Sequence, residues 1–375
     1  MATNYDRLIN QNQGSDIINA LTNISNALNG AGGGGGGDSD ALSYMVYKSA
    51  TNSAEGMDLS MRIGNTSFNE PVTIGANLIN CAEMFHGLYY FDQPVTINNG
   101  VVSTQNMFRN TRFNQSITIP SSVQRASGMF CGDRVLNQPV TMTITDSELT
   151  YTENMFAGCW NFNQRVAMPA NVLYANNMFN DCRNYNGWVT MGDVRYTSHM
   201  FINCVNFNRG VSLPSSLQDM TYMFSECNNF NQQMFLPDGL RDAGYAFSYC
   251  PNLNKRVDLG NTVQNVAGLF AYSTQYNQDI YIPASVTNAY SMLAGCTLFA
   301  RNIYINAETA INVGRLLYGC NNQRQKNVYC NNIALINKTT SAASVTGTTV
   351  TWTATTNGFY NSVYNVYIFN NYPEE

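Results

Sequence analysis

Charged side chains are scarce in this 375-residue sequence. They make up 11% of the residues, and 19 Lys and Arg residues face 24 Asp and Glu residues, which gives a net charge of −5. A surface with so few cations cannot neutralise a run of phosphates, so we expect no nucleic-acid partner and no docking on an anionic membrane. Low charge also removes a common solubilising device, which favours a protein that works inside an assembly or outside the cell.

Long apolar runs are missing as well. No segment approaches the ~20 apolar residues that a membrane-spanning helix needs, so we expect no membrane insertion. Residues 1–30 contain no basic stretch followed by an apolar one. We therefore expect no cleaved secretory signal.

Familiar catalytic and metal-binding patterns are not found. The sequence has two histidines, His86 and His199, and it has no H-E-x-x-H, G-x-S-x-G or paired C-x-x-C motif. Its ten cysteines are too sparse for the disulfide framework of a small secreted domain. We therefore predict a protein that is not an enzyme and that needs no cofactor and no metal.

The sequence does contain a long internal repeat. A Met-Phe pair or an apolar substitute for it recurs at steps of 22 to 26 residues, and the first residues of these pairs are Met84, Met107, Met129, Met155, Met178, Met200, Met223, Ala246, Leu269, Met292 and Leu316. Met61 marks one further coil before them. A period this regular predicts a β-rich repeat solenoid of about twelve coils of ~23 residues over residues 41–330.

Each repeat carries two further fixed positions. Four residues after the first residue of the pair lies a cysteine, at Cys159, Cys182, Cys204, Cys227, Cys250, Cys296 and Cys320, and Ser273 or Thr111 replaces it elsewhere. An asparagine follows a large apolar residue at Asn163, Asn208, Asn231, Asn254 and Asn277. A short strand such as "VTI", "VSL" or "IYI" comes next, and then a turn that often begins with Pro.

Stacking of the coils would convert both positions into columns. We expect the cysteines to be small, reduced packing residues, although adjacent coils also lie within the ~4.4–6.8 Å Cα range of a disulfide, and metal binding is a further alternative. We expect the asparagines to form a buried ladder that bonds the bending backbone, with a ligand-binding role as the alternative.

The repeat also resembles a known family. The stretches "AFSYCPNLNKRVDLG" from Ala246 to Gly260 and "LPSSLQDMTYMFSECNNFNQ" from Leu213 to Gln232 are similar to BspA-like leucine-rich repeats. The resemblance covers roughly residues 60–330. It implies a right-handed leucine-rich-repeat solenoid used for adhesion and binding, usually on a secreted or lipid-anchored protein. This sequence departs from that pattern because no signal peptide or lipobox cysteine is seen near its start.

The segments outside the repeat suggest attachment and capping. Residues 1–29 are predicted to form a short helix with Ile17, Leu21, Ile24 and Leu28 on one seam, either as an ordinary docking helix or as a coiled coil that could make a trimer. Residues 30–40 are a Gly-rich linker. Residues 331–375 alternate in Thr and Tyr and are predicted to be a β-rich cap or a small β module.

The middle residue of each strand should point outward. In the first half of the repeat it is mostly Thr, whereas Phe235, Tyr281, Tyr304 and Tyr329 occupy it in the second half. Exposed aromatic side chains suit the binding of a sugar or a protein partner. Two other interpretations stay open: the C-terminal segment could cover these rings, or they could reflect β propensity alone.

Together these features favour a structural or binding protein of a tailed-phage virion, such as a fibre, a spike or a capsid decoration. Such a protein would bind other virion proteins through residues 1–29 and a host surface glycan or protein through the solenoid. It would assemble in the host cytoplasm and become extracellular at lysis. A bacterial cell-surface adhesin is the alternative, and an intracellular scaffolding solenoid is a second one.

Overall fold

The repeat forms a series of short parallel strands because each coil offers only a few alternating residues between its turns. The computed structural model describes residues 69, 71–74, 79–143, 145–320, 326–331, 343–346, 349–352 and 364–369. The predicted helix at 1–29, the linker at 30–40 and the coil marked by Met61 lie outside these residues. Within them the structure is a β-solenoid of eleven coils, and it contains no helix.

The chain divides into two compact units, Met1–Phe162 and Asn163–Glu375, which are described one at a time. The strands of the first unit are β1 (Val72–Ile74), β2 (Val95–Ile97), β3 (Ile117–Ile119) and β4 (Val140–Met142). β1 pairs in parallel with β2, and β3 pairs in parallel with β4, so that identical coil positions lie side by side. The exposed middle residues are all threonines, as the sequence predicts for a flat outer ladder.

The second unit repeats this arrangement and ends in a larger sheet. Its strands are β5 (Val166–Ala167), β6 (Val189–Thr190), β7 (Met234–Phe235), β8 (Val257–Asp258), β9 (Ile280–Ile282), β10 (Ile303–Ile305), β11 (Lys326–Cys330), β12 (Ala343–Thr346), β13 (Thr349–Trp352) and β14 (Tyr364–Phe369). β5 pairs with β6, and β7 pairs with β8. The last six strands form one sheet in the order β12-β13-β14-β11-β10-β9.

One predicted strand does not form. The "VSL" segment at 211–213 follows the same pattern as its neighbours, but it has no strand geometry. Gly210 stands directly before it, where the equivalent residues of the adjacent coils are Trp188 and Gln233. Glycine loses more conformational entropy than any other residue in a strand, which disfavours pairing at this coil.

Stacked aromatic rings fill the core of each unit. In the first unit Phe85, Phe108, Phe130 and Phe156 follow one another with ring centroids 5.2 to 5.6 Å apart. In the second unit the same column runs through Phe179, Phe201, Phe224, Phe247 and Phe270, at 5.2 to 6.0 Å. Each ring is fully buried and contributes on the order of 2 kcal/mol of hydrophobic stabilisation. A single coil could not bury such a ring, so the stack is the smallest stable unit.

The turn beside this core has an unusual backbone. Two positions adopt positive φ in every coil. One is the residue directly before the Met-Phe pair, such as Tyr222 (φ 56°), and the other is the third residue after the first member of the pair, such as Glu226 (φ 62°). Within this turn, successive backbone N–H groups donate alternately to a carbonyl of the next coil and to a carbonyl of the same coil. Phe224 donates to the Ala246 carbonyl at 2.8 Å, whereas Ser225 donates to the Tyr222 carbonyl at 3.1 Å. The alternation satisfies the buried backbone on both sides.

The asparagine column forms the predicted ladder, although not in the buried setting that we expected. Each side-chain Oδ1 accepts the backbone N–H of the equivalent residue in the next coil: Asn163 from Asn186, Asn208 from Asn231, Asn231 from Asn254, Asn254 from Asn277 and Asn277 from Ala300, at 2.7 to 3.0 Å. Asn163, Asn208 and Asn254 are exposed, because the ladder lies at the outer bend of the coil. The following glutamine often adds a second bond, as Gln232 Nε2 does to Asn208 Oδ1 at 2.9 Å.

We expect Asn231→Ala to lower the free energy of unfolding by about 1 kcal/mol, because it removes the acceptor of the Asn254 N–H. Asn231→Asp keeps that acceptor and should cost less, since Asp92 accepts the Asn114 N–H at 2.8 Å in the same way. Urea unfolding and hydrogen exchange at the Asn254 amide measure the difference. Equal losses in the two variants would show that the acceptor oxygen is not what stabilises this bend.

Candidate binding surfaces

The cysteine column is a set of hydrogen-bond donors rather than mere packing spacers. The Sγ atoms contact a main-chain carbonyl of the preceding coil at 3.0 to 3.1 Å: Cys159 with Phe130, Cys204 with Phe179, Cys227 with Phe201, Cys250 with Phe224, Cys296 with Phe270 and Cys320 with Leu293. Where serine takes the position, Ser273 Oγ makes the same bond to the Phe247 carbonyl at 2.6 Å. The position therefore selects a small side chain that can donate, which explains its acceptance of Ser.

These thiols are poor candidates for chemistry. The cysteines of the column, Cys182 included, are free and buried, and burial raises the pKa of thiols such as Cys204, Cys227 and Cys250. A raised pKa suppresses the thiolate, which is the form that attacks substrates and binds metals. Among the described residues, no three His, Cys, Asp or Glu side chains come together as a metal site.

Asp133 interrupts the column with a buried carboxyl group. It occupies the cysteine position of its coil, is inaccessible to solvent, and its Oδ1 accepts the N–H groups of Val135 and Leu136 at 3.2 and 3.3 Å. Its Oδ2 lies 3.0 Å from the hydroxyl of Thr111, and that hydroxyl lies 2.8 Å from the Phe108 carbonyl. Burial raises the pKa of Asp133 to about 7.

A protonated carboxyl group fits these contacts best. Thr111 has one hydroxyl proton, and the Phe108 carbonyl can only accept it. The proton between Thr111 and Asp133 must then come from Asp133. In this arrangement Asp133 acts as a donor, as the cysteines do, and passes its bond through Thr111 to the preceding coil.

This geometry predicts that stability falls as the pH rises. The folded-state pKa of Asp133, about 7, lies above the ordinary value of 3.8, so its stabilising contribution is complete below pH 3.8 and is lost as the pH rises through about 7. The change is a few kcal/mol, at about 1.4 kcal/mol for each pKa unit. Asp133→Asn, which cannot ionise and can still donate to Thr111, should flatten this dependence in urea unfolding between pH 4.5 and 8. Parallel profiles of the two proteins would contradict a neutral Asp133.

The outward strand residues differ among themselves in exposure. Phe235 is 67% exposed and Tyr281 is 44% exposed, whereas Tyr304 is only 8% exposed and Tyr329 is intermediate. Tyr281, Tyr304 and Tyr329 lie on β9, β10 and β11, and successive ring centroids are 4.5 and 4.8 Å apart. The expectation of an exposed ring is therefore wrong at Tyr304, because a stacked neighbour lies on each of its faces and Asn302 Nδ2 donates to its hydroxyl at 3.0 Å.

The C-terminal strands join this sheet at its edge. β14 pairs in parallel with β11, with Tyr329 opposite Phe369, and β13 and β12 follow in antiparallel order. They extend the sheet as further strands of the same layer. Covering the edge of the last coil in this way satisfies backbone groups that an open solenoid end would leave unpaired.

The exposure difference predicts opposite effects on stability. Phe235→Ala should change the free energy of unfolding by less than about 0.5 kcal/mol, because the ring is mostly in water. Tyr304→Ala should lower it by about 3 kcal/mol, because it removes a buried ring and two stacking contacts. Thermal and urea unfolding of the two variants give the comparison. A large loss in Phe235→Ala would mean that this ring has a structural role.

A second aromatic surface was not found by sequence reasoning. His199, Tyr222 and Tyr245 stack at 4.8 and 4.9 Å on the turn side, and Tyr249 stacks on Tyr272 at 4.8 Å. These residues occupy the two positive-φ positions, which are costly for bulky side chains. The aligned repeats contain the signal, because the residue before the Met-Phe pair changes from Asn177 to His and then to Tyr along the second unit.

His199 does not have the setting of a catalytic base. His199 stacks on Tyr222, its Nδ1 lies 2.7 Å from the hydroxyl of the adjacent Ser198, and partial burial lowers its pKa. The thiols of its own coil and of the next coil are buried in the inner cysteine column.

No helix within the described part of the chain is long and apolar enough to cross a membrane.

These features define the protein as a repeat solenoid whose coils stack through parallel strands, stacked aromatic rings and an asparagine ladder. The chain belongs to the family described as "Mycoplasma protein of unknown function, DUF285", whose model matches residues 45–142, 79–191, 146–236, 173–257 and 238–329. No curated protein matches the chain.

Solved structures similar to this chain include leucine-rich-repeat proteins. The pneumococcal vaccine antigen PcpA is 14% identical, with a TM-score of 0.43 and coverage of 69% of this chain and 67% of that one. A leucine-rich repeat protein from Bacteroides ovatus is 20% identical, with a TM-score of 0.41 and coverage of 61% and 59%. A leucine rich cell surface protein from Faecalibacterium prausnitzii is 15% identical, with a TM-score of 0.37 and coverage of 73% and 82%. This chain thus spans less than two thirds of the Bacteroides ovatus protein.

Proposed function

We propose that this chain is a non-enzymatic binding protein of a tailed-phage virion, where it serves as a fibre, a spike or a capsid decoration. Its solenoid would contact a glycan or protein on the host surface or on another surface that the virion meets. Residues 1–29 would attach it to other virion proteins through the glycine-rich linker at 30–40. Such a protein assembles in the host cytoplasm and becomes extracellular when the cell lyses.

The observation that carries the binding role is the pair of exposed aromatic residues on the strand face of the second unit. Phe235 presents most of its ring to solvent, and Tyr281 presents nearly half of its surface beside the Tyr304 and Tyr329 rings. In the first unit the same strand position is threonine throughout. The core does not require an aromatic side chain at this position, and aromatic side chains supply much of the energy of binding interfaces.

The low charge supports a protein that works within an assembly. With 11% charged residues the chain has little of the electrostatic repulsion that keeps a free protein from associating. A bacterial cell-surface adhesin is the second candidate function, and the resemblance of the repeat sequence to BspA-like leucine-rich repeats favours it. An intracellular scaffolding solenoid would explain the repeat but not the shortage of charge.

The virion proposal predicts that the chain is a component of purified phage particles. Density-gradient-purified particles from lysates of a culture carrying the gene should yield its peptides by mass spectrometry, with a capsid protein as the positive control. The envelope fraction of uninfected cells is the matched sample. Peptides confined to that envelope fraction would support the adhesin alternative and contradict the virion role.

A further inference from the structure

Two arginines of the first unit stand next to each other in one column, between two aromatic residues. The column lies five residues after the start of each Met-Phe pair, and through four successive coils it reads Tyr89, Arg112, Arg134 and Trp160. Equivalent rings of the adjoining Phe column are 5.2 to 5.6 Å apart, which sets the spacing of these coils. Arg112 and Arg134 are exposed, and we refer to them as the arginine pair.

Each member of the arginine pair stacks on the aromatic ring at its own end of the column. The Arg112 Cζ lies 5.5 Å from the Tyr89 ring centroid, and the Arg134 Cζ lies 4.0 Å from that of Trp160. A guanidinium that stacks on a ring uses its face, so its N–H groups stay available at the edge. Stacking also holds the side chain in place and lowers the entropy that a ligand must remove.

The arginine pair has no internal counter-charge. Elsewhere in the described residues Arg183 pairs with Asp181 at 2.9 Å and Arg256 pairs with Asp258, whereas neither Arg112 nor Arg134 forms an ion pair or donates a hydrogen bond. Three carboxylates of the same unit bond other partners: Asp92 with Asn114 and Gln115, Glu148 with Gln124, and Glu153 with Ser127. Two positive charges with free donors are therefore concentrated on one edge of an acidic protein.

We propose that the arginine pair, with Tyr89 and Trp160, is a binding site for an acidic polysaccharide, whose carboxylate or sulfate groups the two guanidinium groups would hold. The fork of each guanidinium group matches the oxygens of such groups with paired N–H donors. Tyr89, which is 55% exposed, offers a flanking ring against which a sugar can pack. The site rests on the proposed role as a binding solenoid, but it uses another coil position and other residues than Phe235 and Tyr281.

The surroundings disfavour the other anionic polymers. Nucleic acid is bound by neutralising many phosphates, and two arginines on a protein of net charge −5 cannot supply that. An acidic peptide would use the arginine pair but would have no specific need for aromatic rings at both ends of the column. A sugar polymer uses both the charges and the rings.

Binding of the full-length chain to immobilised polygalacturonate and dextran sulfate tests the proposal, with neutral dextran, polyglutamate and single-stranded oligonucleotide as competitors. We expect binding to at least one of the two acidic polysaccharides that weakens with salt. The double variant Arg112→Gln, Arg134→Gln should weaken it by roughly tenfold or more, because two charged hydrogen-bond partners are lost. Trp160→Leu should weaken it to a lesser extent.

The matched control is Arg125→Gln, which removes one exposed arginine from a different column. Arg125 also stacks on an aromatic ring, because its Cζ lies 5.8 Å from the Tyr151 ring centroid. This variant should bind as the wild type does. Failure of the wild type to bind either acidic polysaccharide, an equal loss in Arg125→Gln, or equally tight binding of polyglutamate or oligonucleotide would overturn the site. None of these results bears on the presence of the chain in virions, which the particle analysis tests separately.

Discussion

Parallel stacking of equivalent coils is the constraint on which the rest of the structure depends. Within each unit a residue lies beside its own counterparts one coil away, at the 5.2 to 6.0 Å spacing of the core rings. A position must therefore hold a residue type that packs well against itself. Phenylalanine meets this condition by stacking, asparagine by bonding the next backbone, and threonine by forming a flat ladder. A charged residue does not, because like charges would repel along the column.

The same constraint explains why a column is defined by a contact and not by one amino acid. The inner donor position must supply a proton to the preceding coil, and Cys227 supplies it from a thiol and Ser273 from a hydroxyl. Asp133 supplies it from a carboxyl group, through the hydroxyl of Thr111. The Asp133 carboxyl group must therefore stay protonated at a pH where carboxyl groups are ordinarily ionised. An apolar residue of equal size would remove this second bond, although a carbonyl such as that of Phe201 would keep the backbone N–H of Cys204 as a donor.

The sequence period was sufficient to predict the coils, the core columns and the bonding of the asparagine ladder, because each is a property of one position repeated many times. It was not sufficient for features that depend on the neighbour in space. Tyr304 has the outward strand position that the pattern assigns, yet the rings of the coils on either side bury it. The donor role of the cysteines was missed because spacing shows where a side chain lies but not which carbonyl it meets. The positive-φ turn positions were missed because residues of several types share them, including Tyr222 and Tyr245, whereas sequence rules would lead one to expect glycine throughout.

Backbone strain alone does not locate a binding site in this protein. A tyrosine at positive φ costs roughly 1–2 kcal/mol, and the stacking contact between Tyr222 and Tyr245 contributes about 0.5–1.5 kcal/mol, so stacking offsets part of the strain. Even at the ~5 Å spacing of neighbouring coils, repulsion between two exposed charges in water is below about 1 kcal/mol, and the cation–π contacts of Arg112 and Arg134 offset it. What separates the two surfaces is the bonding capacity that stays unused. The faces of the stacked tyrosine rings already contact one another. The N–H groups at the edges of the Arg112 and Arg134 guanidinium groups can still donate hydrogen bonds to an anion. In a fold where the residues of each column bond to one another, donors and charges that are not used in this way are the best guide to where a ligand binds.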